Sequence, residues 1–298
     1  MILDRVAAAP ISWAVCEVPG WGHQMEPERV LAEMEALGLR ATELGPEGFL
    51  PATHAHELLR EHRLAVIAGF VPAVLHVASR LDRELWAVRS AAEVLAGLGA
   101  EVLVLAASSG RSGYDRRERI DRDAWRVLTE GMGRAVQLAD EHGLRLAVHP
   151  HQGTVIERPE DVDELLRSTR ANLCLDTGHV AIGGGDPLEL ARAAADRVVH
   201  VHLKDVDLRL AERVAAGEVG YRDAVKEGLY RPLGDGDLDV IAIVRTLEEA
   251  GYGGWYVLEH DEVLDREPPE GAGPIQVVRR SLAFLERAWE EVGAARDA

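Results

Sequence analysis

Four apolar runs in the second half of the chain each end at a side chain that can bind a metal ion. The runs LAVHPHQGT, LCLDTGHV, VVHVHLKD and WYVLEHD carry His149, Asp176, His202 and Glu259. Neutral imidazole nitrogen and carboxylate oxygen suit Mn²⁺, Co²⁺, Fe²⁺ or Zn²⁺. Each residue alone has an ordinary explanation, such as a hydrogen-bonded histidine or an aspartate that caps a helix. The four in series favour one divalent metal ion.

The sequence pattern of the whole chain predicts alternating strands and helices. The segments between strands carry apolar residues at the i, i+3, i+4 and i+7 spacing of helices, as in PERVLAEMEALG. The chain contains eight βα units, and its amino-acid composition does not change along its length as it would between two domains. We therefore predict a single (β/α)8 TIM barrel domain over residues 1–298, and not an open sheet. The predicted strands are 9–13, 41–44, 64–70, 101–105, 145–149, 171–175, 197–202 and 255–258.

A barrel explains how ligands distant in the chain could meet. The carboxyl ends of its parallel strands form one mouth, so the four predicted ligands would face a common point there. Two segments that follow strands are longer than plain connections, 71–80 and 206–239. We expect them to form a lid or a substrate-binding insertion at this mouth.

Further polar residues lie close to the four predicted ligands in sequence. Side chains alternate along a strand, so His200 should point the same way as His202 but lie deeper, either beside a metal ligand or as a structural histidine. His179 follows Asp176 by three residues, and we expect it to contact substrate. The other members of this set are His151, Lys204, Asp205 and Asp261.

The amino-terminal strands add three candidates. Glu43 ends the second predicted strand, where it could hold substrate or shuttle a proton; a salt-bridged structural acid is the equal alternative. Trp13 and Trp21 could form an apolar wall against a sugar-like ring, because the C–H face of a polyol packs on an aromatic face. Core packing explains Trp13 nearly as well.

Composition limits the partners. The formal net charge is −18, from 51 acidic and 33 basic side chains, whereas nucleic-acid binding needs a basic surface. No apolar run is long enough to cross a bilayer, and the first residues lack the positive start of a signal peptide. We therefore expect no nucleic-acid or membrane partner and a cytoplasmic location. Two cysteines, Cys16 and Cys174, exclude a disulfide framework.

Seven motifs between residues 10 and 261 resemble the sugar isomerase and epimerase-like (xylose isomerase-like) TIM barrel family, and within it most closely the inosose dehydratases. DTGH and HxKD recur across the whole family, while HPHQGT and GDGDLD are narrower. The remaining motifs are PISW, ATELG and GYGGWYVLEHD. The resemblance implies dehydration of a keto-inositol to a cyclic dione, with Mn²⁺ or Co²⁺ favoured over Zn²⁺, Fe²⁺ and Mg²⁺. It leaves open whether His149 or His151 is the ligand from the fifth strand.

The expected chemistry is proton transfer next to a ketone whose enediolate form is stabilised by the metal. Glu259 is the candidate base, Lys204 or His179 the partner of the oxyanion or leaving group, and Glu43 a secondary candidate. Trp13, His151, His179, Lys204 and Glu43 are the candidate substrate contacts. The same site could instead isomerise a ketose or epimerise it at carbon 3, which is the principal alternative.

Two other classes fit less well. A metal-dependent phosphodiesterase would share the fold and the ligands, but it needs several metal ions and a basic groove, against which the net charge argues. A non-catalytic sugar-binding barrel would lose the ligand positions, all of which are occupied here. Barrels of this kind often associate, so a homo-oligomer is a further expectation.

Overall fold

The computed structural model describes residues 2–50 and 54–296, and its central feature is a closed barrel of parallel strands in the order β1-β10-β7-β6-β5-β4-β3-β2. The predicted TIM barrel is therefore confirmed. A separate antiparallel pair joins β8 (Asp205–Val206) to β9 (Tyr230–Arg231). The barrel strands are β1 (Val6–Ala8), β2 (Ala41–Glu43), β3 (Ala65–Ala73), β4 (Val102–Ala107), β5 (Arg145–Val148), β6 (Asn172–Asp176), β7 (Val198–Leu203) and β10 (Tyr256–Leu258).

Helices surround the barrel, and their sequences explain where they begin. Prolines start α1, α5 and α7, where the missing N–H has no partner to lose. Apolar stripes face the strands; α10 buries Val240, Ile243, Val244 and Leu247. The helices are α1 (Pro27–Ala36), α2 (Ala55–Glu61), α3 (Leu81–Gly97), α4 (Arg122–Glu141), α5 (Pro159–Ser168), α6 (Thr177–Ile182), α7 (Pro187–Ala194), α8 (Leu208–Ala215), α9 (Tyr221–Lys226), α10 (Val240–Glu249) and α11 (Pro274–Arg296).

The barrel interior is filled mainly by small side chains. In the strand register Cys174 pairs with His200 and Val257 with His202, so these residues share the inner face of the sheet. Cys174 and Val257 belong to a buried cluster that also contains Ala7, Ala9, Ala41, Ala68 and Ala147. Such small neighbours leave room in the interior for imidazole and carboxylate side chains.

The predicted first strand at residues 9–13 is wrong in position, because β1 ends at Ala8. Pro10 begins a 3₁₀ turn, Pro10–Trp13, and lacks the N–H that a strand ladder requires. Ala14, with a φ of 62°, ends this turn in the left-handed region. Trp13 therefore lies in this turn and not at the end of a strand.

The long connections also differ from expectation. Strand β3 continues to Ala73 and takes up part of the predicted segment 71–80. Segment 206–239 is an ordered insertion that contains α8, α9 and the β8–β9 pair. A long loop that the sequence reasoning missed, residues 108–121, follows β4 and reaches the barrel mouth. No helix in the described ranges combines the length and hydropathy of a membrane span.

Candidate metal centre

The four predicted ligands lie together at the carboxyl ends of the barrel strands. His149 follows β5, Asp176 ends β6, His202 lies in β7 and Glu259 follows β10. Asp176 Oδ2 is 3.2 Å from His149 Nε2 and 3.5 Å from His202 Nδ1. His202 Nδ1 is in turn 3.2 Å from Glu259 Oε2. The structure thus groups three potential ligand atoms, from His149, Asp176 and His202, and Glu259 joins them through its contact with His202.

The environment of His202 fits a cation at this point. Its Nε2 is 2.9 Å from Glu43 Oε1, so Nε2 is the nitrogen that donates a hydrogen bond. Its Nδ1 is buried, has no hydrogen-bond partner among the described residues, and faces the carboxylates of Asp176 and Glu259. Two carboxylate oxygens beside this nitrogen favour a positive charge there, either a proton or a metal ion. The donor set therefore suits a metal ion.

The buried charge supports the same conclusion. Glu43, Asp176, Glu259 and Asp261 are all at most 9% exposed. Among the described residues that line this mouth, the one permanent cation is Lys204. Burying several carboxylates against a single lysine is costly, and a divalent ion offsets much of that cost.

The pKa values keep the two ligand acids ionised. Burial opposes ionisation, but Lys204 and the histidines around Asp176 hold the pKa of that carboxyl well below its usual range. For Glu259, His202 and Lys204 outweigh burial and lower the pKa to about 2. Burial lowers the pKa of His149, which keeps its imidazole neutral as a metal ligand requires.

Lys204 is held in a cage of acids. Its Nζ lies 2.7 Å from Glu259 Oε2, 2.5 Å from Asp261 Oδ1 and 3.7 Å from Asp176 Oδ2, and it sits over the Tyr230 ring at 5.1 Å from the centroid. Burial alone would lower the pKa of the ammonium, but these carboxylates raise it well above its ordinary value. Lys204 is therefore a charged hydrogen-bond donor.

The DTGH motif positions Lys204 from behind. Thr177 Oγ1 donates to the Lys204 carbonyl at 2.6 Å and accepts from the Lys204 N–H at 2.8 Å. A Cβ on Gly178 would lie 2.7 Å from Lys204 Cβ, so only glycine allows this approach. Asp176 also caps α6 by accepting from the His179 N–H at 2.7 Å. The DTGH motif thus positions Lys204 by local packing, in addition to supplying the candidate ligand Asp176.

A pocket that is partly open to solvent is lined by His149, His202 and Glu259, and the empty space in it, including its open side, is about 590 Å³. Phe70 and Tyr114 provide its aromatic faces, and Ile11 and Pro46 provide apolar ones. The predicted substrate contacts that line it are Glu43, His151 and Lys204.

Two predicted substrate contacts lie elsewhere. The Pro10–Trp13 turn sends Trp13 into the core, where it is fully buried and donates from Nε1 to Glu33 at 2.8 Å. His179 is absent from the lining of the pocket in the described chain; it lies behind His151, with ring centroids 3.8 Å apart. Trp21 is also buried and donates to the Glu262 carbonyl at 2.7 Å.

The histidines of the fifth strand have different surroundings. His149 is the one that groups with Asp176 and His202, each offering a ligand atom within 4.8 Å of the others. His151 Nδ1 donates to the Gln152 carbonyl at 2.8 Å, which leaves Nε2 as the acceptor nitrogen. Burial, together with His149, lowers the pKa of His151 to about 4. The geometry favours His149 as ligand and gives the pocket a neutral His151.

The insertion at 206–239 supplies residues that sequence reasoning missed. Tyr221 donates to Asp261 Oδ2 at 2.7 Å, and its hydroxyl lies 2.7 Å from that of Tyr230. Asp205 accepts from the N–H groups of Gly234, Gly236 and Leu238 and so holds the GDGDLD loop together. The GDGDLD motif therefore has a structural role. No sequence spacing predicts that Tyr221 and Tyr230 lie near the site.

Comparison with known proteins gives a consistent result. The family described as xylose isomerase-like TIM barrel matches residues 24–288. A protein named inosose dehydratase from Geobacillus kaustophilus is 32% identical over 98% of this chain and 97% of its own length. The rhizopine catabolism protein MocC of Rhizobium meliloti is also 32% identical, over 97% of this chain and 90% of its own.

A solved structure with the same fold is that of L-ribulose 3-epimerase, with a TM-score of 0.73 and 17% identity over 98% of this chain and 97% of that one. At this level of identity the likeness concerns the fold.

Proposed function

Because the chain belongs to the xylose isomerase-like TIM barrel family, we propose that this enzyme is a metal-dependent carbon–oxygen lyase that dehydrates a keto-inositol. The observation that carries the proposal is the grouping of His149, Asp176 and His202 at the barrel mouth, with Glu259 in contact with His202 and with the buried Lys204. The relative named inosose dehydratase matches over nearly the full length of both chains, which supports the proposal.

His149, Asp176, His202 and Glu259 would hold one divalent ion, for which Mn²⁺ or Co²⁺ is our choice. Such an ion polarises a ketone and lowers the cost of removing a proton from the neighbouring carbon. The pairing of two imidazoles with two carboxylates at the strand ends is the basis of this assignment.

The chain's own residues then divide the proton transfers. Dehydration removes a proton from the carbon beside the ketone and a hydroxyl group, as water, from the next carbon. Glu259 is ionised and beside Lys204, so we assign it the removal of the proton. Lys204 stays charged and donates hydrogen bonds to the oxygen on which negative charge develops. His151 Nε2 is a neutral acceptor for a substrate hydroxyl.

The lining of the pocket favours an uncharged substrate. Within the described chain it contains no arginine, and its lysine is already paired with Glu259 and Asp261. Glu17 and Glu43 add further negative charge. A phosphate or carboxylate group would find no free cationic partner there and would meet like charge. A keto-polyol without ionised groups is the best match.

The test is an assay of metal-loaded protein with 2-keto-myo-inositol and, separately, with common ketoses. The proposal expects the absorbance of a conjugated dione from the keto-inositol alone. Appearance of a new ketose or aldose, with no dione, would instead establish the alternative, a ketose isomerase or 3-epimerase. That alternative has less support, because the epimerase structure is only 17% identical to this chain.

Several expectations stay as proposals. They are a single domain over residues 1–298, a cytoplasmic location, the lack of a nucleic-acid partner and a homo-oligomeric state. Glu43 lines the pocket and remains a candidate for contact with substrate. The positions of His179 and Trp13 make any influence on the reaction indirect, through His151 and through the core respectively.

A further inference from the structure

Glu43 joins two histidines across the inside of the barrel. Its Oε1 lies 2.7 Å from His200 Nε2 and 2.9 Å from His202 Nε2, and all three residues are at most 3% exposed. Glu43 ends β2 whereas both histidines belong to β7, and β1 and β10 separate these strands in the barrel. The small residues Ala7 and Ala9 of this region leave the space that the carboxylate crosses.

The two contacts decide which nitrogen of His202 carries a proton. An ionised carboxylate only accepts hydrogen bonds, so each imidazole must present an N–H at Nε2. In neutral His202 the lone pair then lies on Nδ1. That atom faces Asp176 Oδ2 at 3.5 Å and Glu259 Oε2 at 3.2 Å, in the proposed metal site.

From this arrangement we propose that Glu43 is a positioning residue, which holds His202 in the tautomer that offers Nδ1 to the metal, and that His200 holds Glu43 in place. The inference rests on the proposed metal site and adds Glu43 and His200 as residues that position one of its ligands. Groups that hydrogen-bond a metal-binding histidine fix its orientation and raise its affinity for the ion. Here the supporting acid comes from the opposite side of the barrel.

The role of His200 follows from its depth. It lies two residues before His202 on the same face of β7, next to Cys174 in the strand register, and it is 1% exposed. Without the second N–H donor, a buried carboxylate would have one fewer partner to offset its burial. His200 therefore keeps Glu43 ionised and oriented although it is too deep to contact substrate.

One rival explanation uses the same residues. Glu43, His200 and His202 each offer a ligand atom within 4.8 Å of the others, so they could hold a second metal ion. Both imidazoles approach a single carboxylate oxygen at ordinary hydrogen-bond distances, which favours protons over an ion. The number of ions bound per chain separates the two explanations.

The experiment measures metal affinity and the tautomer of His202. Metal affinity is obtained by competition with a chelator, and the tautomer by long-range ¹⁵N–¹H NMR of zinc-loaded protein labelled at histidine. Glu43→Met removes the acceptor, whereas Glu43→Gln keeps an acceptor oxygen without its charge. We expect zinc affinity to fall about 10–100-fold in Glu43→Met and less in Glu43→Gln.

The control is Glu33→Gln, at a buried glutamate of α1 that bonds Trp13 and Arg29 far from the ligands. It should leave zinc affinity and the His202 signals unchanged. In wild-type protein we expect one zinc per chain and a proton on His202 Nε2; in Glu43→Met this signal should change. His200→Gln should weaken zinc binding in the same direction.

Three results would overturn the inference. They are unchanged zinc affinity and His202 signals in both Glu43 variants, a wild-type proton on Nδ1, and a second zinc per chain that His200→Gln removes. If wild-type protein bound no zinc, manganese or cobalt at all, the proposed function would fail first. The ¹⁵N spectrum of metal-free protein, recorded at a pH high enough to leave His202 neutral, would then still show whether Glu43 selects the tautomer. Should Glu43→Met fail to fold, Glu43→Gln provides both readouts.

Discussion

Lys204 and Glu259 form a buried ion pair at the mouth of the barrel, with Nζ 2.7 Å from Oε2. The pair joins the proposed base to the proposed hydrogen-bond donor, so neither side chain can be changed without altering the other. Asp261 and Asp176 extend the same network.

Lys204→Met should abolish turnover and destabilise the fold. Removing one partner of a buried ion pair leaves the acids uncompensated, at a cost of about 3–5 kcal/mol in the free energy of unfolding. Denaturant unfolding and the dehydration assay measure the two effects. Lys226→Met is the control, because that lysine pairs with Asp265 at the surface; it should change neither quantity appreciably. Normal turnover in Lys204→Met would refute the assigned role.

Asp176→Ala should remove the metal ion. Asp176 Oδ2 lies close to both candidate imidazole ligands, at 3.2 Å from His149 Nε2 and 3.5 Å from His202 Nδ1. Elemental analysis should find one divalent ion per wild-type chain and almost none in the variant. Asp186→Ala, which removes an exposed cap of α7, should keep the full complement. Equal metal content in the two variants would place the ion elsewhere.

Metal binding should release a proton. Burial lowers the pKa of His202, but the Cys174 thiol and the acids Glu259 and Glu43 outweigh it and raise the pKa well above its ordinary value. A raised pKa means that metal-free His202 keeps its proton at neutral pH, and Nδ1 must lose that proton to bind an ion. Affinity should therefore rise with pH, with about one proton released per ion.

Calorimetry in two buffers with different heats of ionisation counts the protons released. The same titration with His202→Asn protein gives the comparison, since that variant has no imidazole to deprotonate at this position. Binding without proton release at neutral pH, in the wild-type chain, would contradict the assignment of His202.

Substrates with ionised groups should be poor. The pocket has no free cation to receive a phosphate, so we expect kcat/KM for a ketose phosphate or a keto acid to lie at least about 100-fold below that for the keto-inositol, a difference of roughly 2.7 kcal/mol. Steady-state kinetics on matched substrate pairs measure this ratio. Comparable rates for charged and uncharged members would show that a cationic group reaches the pocket during the reaction.

Gly178→Ala should destabilise the protein and impair turnover together. The new Cβ would lie 2.7 Å from Lys204 Cβ, and overpacking of this kind costs about 1–3 kcal/mol. Gly133→Ala is the matched control, because it is also a helical glycine but has open space around its Cβ; it should stabilise by roughly 0.5–1 kcal/mol. Thermal unfolding distinguishes the two. If Gly178→Ala were as stable as the wild-type protein, α6 would have to move away from Lys204 without a cost in the free energy of unfolding.

The barrel and its ligand positions could be predicted from the sequence because both depend on local rules. Strand–helix alternation fixes the topology, and a parallel barrel places every strand end at one mouth. His149, Asp176, His202 and Glu259 follow from their places at those ends. The orientation of Trp13 could not be predicted, because Trp13 lies in a 3₁₀ turn, Pro10–Trp13, where a strand was expected.

The aromatic residues around the pocket could not be predicted from the sequence for a different reason. Phe70 lines the pocket because β3 runs past its predicted end, and Tyr114 comes from a loop with no periodic pattern. Tyr221 and Tyr230 lie in an insertion whose path across the barrel depends on contacts distant in sequence, including its packing against Trp21. Periodicity describes single elements and carries no information on such paths.

The insertion at 206–239 gives the chain a means of adjusting its reactivity. Tyr221 steadies Asp261, which in turn holds Lys204, and none of these residues is among the four candidate ligands. Mutations in the insertion can therefore change turnover or substrate preference while the ion stays bound. In a lineage of related barrels, this peripheral segment would be free to diverge as new substrates arise, while the four candidate ligands stay unchanged.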